Sequence, residues 1–94
     1  MNVRVQYTAQ LRTAIGRGEE EVALAEGSSL ADLLAHLAGL HGEHVRPHLL
    51  CDDGQPRASL LVVRNGEAIS AREAAMARLQ PNDVVTLMPP IAGG

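Results

Sequence analysis

Gly93-Gly94, following Pro89-Pro90-Ile91-Ala92, carries a carboxylate with no side chain beside it. The proline pair fixes two φ angles and removes two backbone donors, so the stretch can neither continue a strand inside a sheet nor enter a helix interior. Residues 89–94 are therefore expected to leave the body as a flexible, extended tail. A carboxylate on so thin a stalk suits insertion into a narrow cleft, where a second protein turns its oxygen into a leaving group. Glycine offers the least steric resistance to the incoming nucleophile. A Gly-Gly end can equally be inert. Against that, the strand-like run Val84-Val85-Thr86-Leu87-Met88 feeds into the prolines with no spacer, and a floppy end needs no stiff base.

Other chemistry-bearing residues carry less. His41, His44 and His48 stand at spacings of three and four, yet Gly42 and Pro47 interrupt any shared helix and no acid or thiol is placed with them, so no metal site is expected. Cys51 has no basic run to stabilise a thiolate and cannot form an internal disulfide, which makes a reducing cytoplasm the expected compartment. Gly16 and Gly18 lack the strand-to-helix context of a phosphate loop.

The elements that must hold the tail are legible from periodicity. Asn2-Val3-Arg4-Val5-Gln6-Tyr7 alternates polar and apolar, a half-buried strand with Val3, Val5 and Tyr7 on one face. Residues 8–16 read as a short loop or helical turn, and residues 20–25 as a second strand completing a wide hairpin. Leu30, Leu33, Leu34, Leu37 and Leu40 recur at helical spacing over 30–41. Ser29 and Asp32 form a capping-box-like start, and Gly42 is placed to stop the helix. Residues 43–57 lose the pattern and read as turn and loop. Periodicity resumes over 59–64, ahead of the hairpin signal Asn65-Gly66 and a short strand at 67–69. Ser70 and Glu73 repeat the capping spacing before Pro81-Asn82-Asp83 turns the chain into the last strand.

The predicted order β-β-α-β-β-turn-β is an α+β plan: a mixed sheet of four to five strands with one main helix across one face, over residues 1–88. Hydrophobic residues make up 46% of the 94 but aromatics only 1%, so Leu, Val, Ile and Ala must build the core. Net charge is -3 with no basic run, which argues against nucleic acid or an acidic membrane as the principal partner. No signal peptide and no membrane-spanning apolar stretch is expected. The runs at 60–63 and 84–88 do not alternate, the mark of strands covered on both faces. A single helix cannot cover both. Either a partner protein covers Leu61, Val63, Val84, Thr86 and Met88 beside the tail, or the 43–57 loop folds over that side.

The hairpin, capped helix, Asn-Gly turn and above all residues 84–94 resemble the MoaD/ThiS family of ubiquitin-like β-grasp sulfur carriers, most closely the small subunit of molybdopterin synthase. The opening Val3 to Arg12 is similar to that family's first strand and turn, so the resemblance spans nearly the whole chain. It implies a carrier rather than an enzyme by itself. An E1-like partner would adenylate the Gly94 carboxylate with ATP and magnesium, and a sulfur donor would convert the adenylate to a thiocarboxylate. The sulfur would go to an acceptor such as the large subunit of molybdopterin synthase, which takes the tail into its own site. Gly94 is then the reacting residue, Gly93 the spacer, and Pro89, Pro90, Ile91 and Ala92 aim the tail; no cofactor is bound by the carrier. Thiamine, cysteine or tRNA thiolation are alternative destinations. A ubiquitin-like modifier that ends in an amide with a target lysine shares the fold and tail. All eight basic residues are arginine, so an activated acyl group would meet no ε-amine of its own chain, though an arginine-rich genome explains the same fact. A third reading is an interaction module with an inert tail.

Overall fold

In the computed structural model, which describes residues 1–89, five strands form one mixed sheet in the order β2-β1-β5-β3-β4. They are β1 (Asn2–Tyr7), β2 (Glu19–Ala23), β3 (Leu61–Arg64), β4 (Glu67–Ile69) and β5 (Val84–Met88). The central pair β1 and β5 is parallel, and every other pair is antiparallel. This is the ubiquitin-like β-grasp arrangement. Residues 90–94, which include the tail positions Pro90, Ile91, Ala92, Gly93 and Gly94, lie outside the described residues.

The main helix α2 (Leu30–His41) lies over one face, and its leucines meet the inward residues of the strands in one core: Val3, Val5, Tyr7, Val22, Val62, Ile69, Val85 and Leu87. Its start is doubly secured. Ser29 Oγ accepts from Asp32 N at 3.1 Å while Ser29 N donates to Asp32 Oδ2 at 2.9 Å, a reciprocal cap of the kind that is worth about 1 kcal/mol. The next two orphan amides, Leu30 N and Ala31 N, donate to the carbonyls of Ala77 and Ala74. The stripe differs from expectation at one end: Leu40 is 57% exposed, and Ala38 on the opposite margin is buried instead. In the last turn the helix has rotated Leu40 past the edge of the core.

The 43–57 region is a correction. It holds a short helix, α3 (Arg46–Leu49), and an isolated bridge between Leu50 and Pro56. Pro47 sits in the first helical turn, where its missing N–H would have had no helical partner anyway. Val45, Leu49 and Leu50 enter the core on the helix side, so this region does not fold over the outer face of the sheet. A seven-residue helix, α1 (Ala9–Ile15), fills the first connection and buries Leu11.

Candidate functional site

The strand that leads to the tail is held at both ends. At its start, Asp83 is buried and accepts from Asn65 Nδ2 at 2.9 Å and from Gln80 N at 2.8 Å. Asn65 Oδ1 accepts from Val84 N, and Asn65 N donates to Val84 O, both at 2.8 Å. Asn65 (φ 50°) and Gly66 (φ 86°) both take the left-handed backbone of a two-residue hairpin turn. The β3-β4 turn therefore clamps the first residue of β5. At its far end, Thr8 N and Thr8 Oγ1 both donate to Leu87 O at 3.3 Å. Ala9, next in the chain, has a left-handed φ of 51°, a conformation that costs a residue with a Cβ about 1 kcal/mol. Strain of this kind persists only where the surroundings over-determine it.

Register then settles which side chains share a face. Leu61 opposes Met88, Val63 opposes Thr86 and Ala68, Gln6 pairs with Thr86, and Arg4 pairs with Val84. All five expected partner-face residues, Val84, Thr86, Met88, Leu61 and Val63, thus fall on the face opposite α2. The basis of that expectation changes, however. β5 alternates half-buried and buried residues rather than being covered on both sides, and Leu61 is 48% exposed. The described residues leave this face open.

It is divided by chemistry. The β3-β5 half is apolar, whereas on β1 and β2 Arg4 Nη1 lies 2.6 Å from Glu19 and Nη2 3.8 Å from Glu21. Those side chains are half exposed, so the pairs contribute at most about 1 kcal/mol and mainly mark a polar border. Pro89, assigned to the tail on sequence, is buried against the body at the end of β5. The three histidines go separate ways: His41 contacts Glu20, His44 contacts the Ala14 carbonyl, and His48 lies beside Pro89. Among the described residues no group of three or more His, Cys, Asp or Glu is placed to hold a metal.

Sequence reasoning missed one polar cluster on the helix side. Tyr7 Oη donates to Glu20 Oε2 at 2.5 Å, and His41 Nε2 lies 2.6 Å from the same oxygen, joining β1, β2 and the end of α2. Burial, then the hydrogen bond and charge of Glu20, push the Tyr7 hydroxyl well above its ordinary titration range. The folded protein consequently keeps this proton at a pH where the unfolded chain has lost it. Stability is full below the unfolded tyrosine value, about 10, and declines above it by up to about 1.4 kcal/mol per pH unit. With no lysine in the chain, no ammonium side chain titrates in the same window. Urea midpoints measured from about pH 8 to about pH 11 should fall for the wild type and stay level for Tyr7→Phe. Parallel declines in both proteins would show that Tyr7 is not the source.

The family model described as the ThiS family matches residues 5–94. No curated protein matches the chain in sequence. Among solved structures, SAMP1 from Haloferax volcanii superposes with a TM-score of 0.86 at 26% identity, covering 100% of both chains. A candidate molybdopterin converting factor, subunit 1, from Pyrococcus furiosus gives 0.76 at 28% identity, covering 97% of this chain and 99% of that one. A chain of the BexX/CysO complex from Amycolatopsis orientalis gives 0.70 at 26% identity, covering 98% and 99%. With the family model spanning the body and both terminal glycines, this chain belongs to the ThiS family of ubiquitin-like sulfur carriers and modifiers.

Proposed function

We propose that this chain is a sulfur carrier that works from the carboxylate of Gly94. The supporting observation is that the family match continues through Gly93 and Gly94 rather than stopping with the folded body. In this reading the body extends to Pro89, which is the root of the tail, and residues 90–94 enter the partner. An E1-like enzyme holding ATP and magnesium lets a Gly94 carboxylate oxygen attack the α-phosphorus, and pyrophosphate leaves. A sulfur nucleophile from the donor then attacks the acyl carbon, and AMP departs with the former carboxylate oxygen. The net change is one oxygen replaced by sulfur. The carrier binds no cofactor itself, and reactions of this kind place it in the cytoplasm.

The destination favoured here is molybdopterin synthesis, with this chain as the small subunit of the synthase. The likeness to the Pyrococcus furiosus protein over almost the full length of both chains supports it. Conjugation to proteins is the second reading, supported by the likeness to SAMP1. Intact-protein mass after incubation with the cognate adenylating enzyme, ATP, magnesium and a sulfur donor tests the carrier chemistry. A product heavier by the difference between sulfur and oxygen is expected. If the acyl group is found only in amide bonds to target lysines, the modifier reading replaces it, and a carboxylate that is never adenylated leaves an interaction module.

A further inference from the structure

A notch of about 200 Å³ opens beside the root of the tail, lined by Gln10, Pro47, His48, Arg57, Ser59 and Pro89. Its walls are fixed in the backbone. Arg57 N donates to Leu49 O at 3.0 Å, Leu60 N donates to Arg57 O at 3.1 Å, and the Leu50–Pro56 bridge closes the loop between them. Leu49 and Leu60 are core residues, so both loop arms are anchored. Arg57 Nε donates to the Pro47 carbonyl, which holds the guanidinium plane while its two terminal nitrogens keep their donors. Its charge sense is unusual for a chain of net charge -3. Arg64 and Arg72 share their groove with Glu67 and Glu73, and Arg12 shares its groove with Glu19, whereas among the described residues the lining around Arg57 and His48 includes no carboxylate.

Position decides what such a notch meets. Pro89 is one of its walls, and the chain continues from there towards Gly94. Five further residues span at most about 17 Å when extended. On the carrier reading, a partner that takes up those residues brings the mouth of its cleft to the root of the tail at Pro89, beside the notch. We propose that the notch receives an aspartate or glutamate side chain on the rim of the adenylating partner's tail cleft, which pairs with Arg57 and sets the direction in which the tail enters. A bidentate carboxylate–guanidinium contact supplies direction as well as attraction, because both planes must align. This role rests on the carrier reading above.

The test is ATP–pyrophosphate exchange by the cognate adenylating enzyme, with the carrier as varied substrate. Arg57→Gln should raise the KM for the carrier roughly tenfold with kcat unchanged, and Arg57→Lys should recover part of the loss. Because Arg57 also holds Pro47, a second variant leaves that bond intact: His48→Asp places a carboxylate inside the notch, occupies Arg57 from within, and should raise KM similarly. Thermal melts of both variants should match the wild type. The difference between wild type and variants should shrink as salt is raised. If wild type and both variants give the same KM, or if kcat falls while KM stays, the docking role is overturned while the carrier reading stands. A wild type that supports no exchange at all overturns the carrier reading and this role together.

Discussion

Deleting Gly94, or appending one residue after it, is expected to abolish sulfur loading and leave the folded body unchanged. Every residue of the described core lies between Val3 and Leu87, and both changes are made at position 94, beyond that range. Stability should therefore move by no more than about 0.5 kcal/mol, the range of substitutions that touch no packed or paired group. Chemistry is far less tolerant. One residue more or less shifts the carboxylate by about 3.5 Å, and a misplacement of about 1 Å already costs on the order of a hundredfold in a positioned reaction. Intact mass after loading, read beside a thermal melt, checks both halves of the expectation. Gly94→Ala is the informative control, since it keeps the carboxylate in place and adds only a methyl at the reacting carbon; it should load slowly rather than not at all. A lengthened or shortened tail that still acquires sulfur at the wild-type rate would remove Gly94 from the chemistry.

Much of the body was legible in the sequence because its signals are local. β1 alternates without a break, α2 runs between the cap at Ser29 and the stop at Gly42, and Asn65-Gly66 marks its hairpin. Ser70 and Glu73 form the second reciprocal cap, at the start of a 3-10 turn over Ala71–Glu73. Where reasoning failed, the deciding contact is distant or the element is too short to show a period. α3 has four residues, and only the spacing of Val45 and Leu49 hinted at it. The cluster of Tyr7, Glu20 and His41 joins residues 13 and 21 apart in the chain, beyond the reach of any window. A signal for it did exist. In a strand containing Glu19-Glu20-Glu21 the middle side chain must face opposite its neighbours, and an inward tyrosine hydroxyl needs a partner. The five residues expected on a partner face do share the face opposite α2, but the argument for them changes: runs at 60–63 and 84–88 signalled double coverage, where the described residues cover one face and leave the other open.

Placing a carboxylate on the open apolar half should break partner binding and spare the fold. Met88 and Leu61 oppose each other across β5 and β3, with their strand neighbours Leu87 and Val62 pointing to the buried side. In the free protein the side chain of Leu61→Asp or Met88→Asp stays solvated, so its cost is limited to lost contacts within the patch. Docking reverses this, because the carboxylate must then shed water against an apolar surface with no counter-charge. A central interface position treated in this way typically costs about 2–4 kcal/mol, or roughly 30- to 1000-fold in Kd. Arg4→Ala provides the contrast. Its ion pairs with Glu19 and Glu21 are exposed, so it should change binding by less than about tenfold if it lies at the rim. Leu87→Asp provides the other limit, since it buries a charge in the core and should unfold the chain outright. Calorimetric titration with the adenylating enzyme, paired with melts of the free variants, separates these cases. Unchanged affinity for both Leu61→Asp and Met88→Asp would show that partners approach the tail from another side, and unfolding of either would move that residue from the docking face into the core.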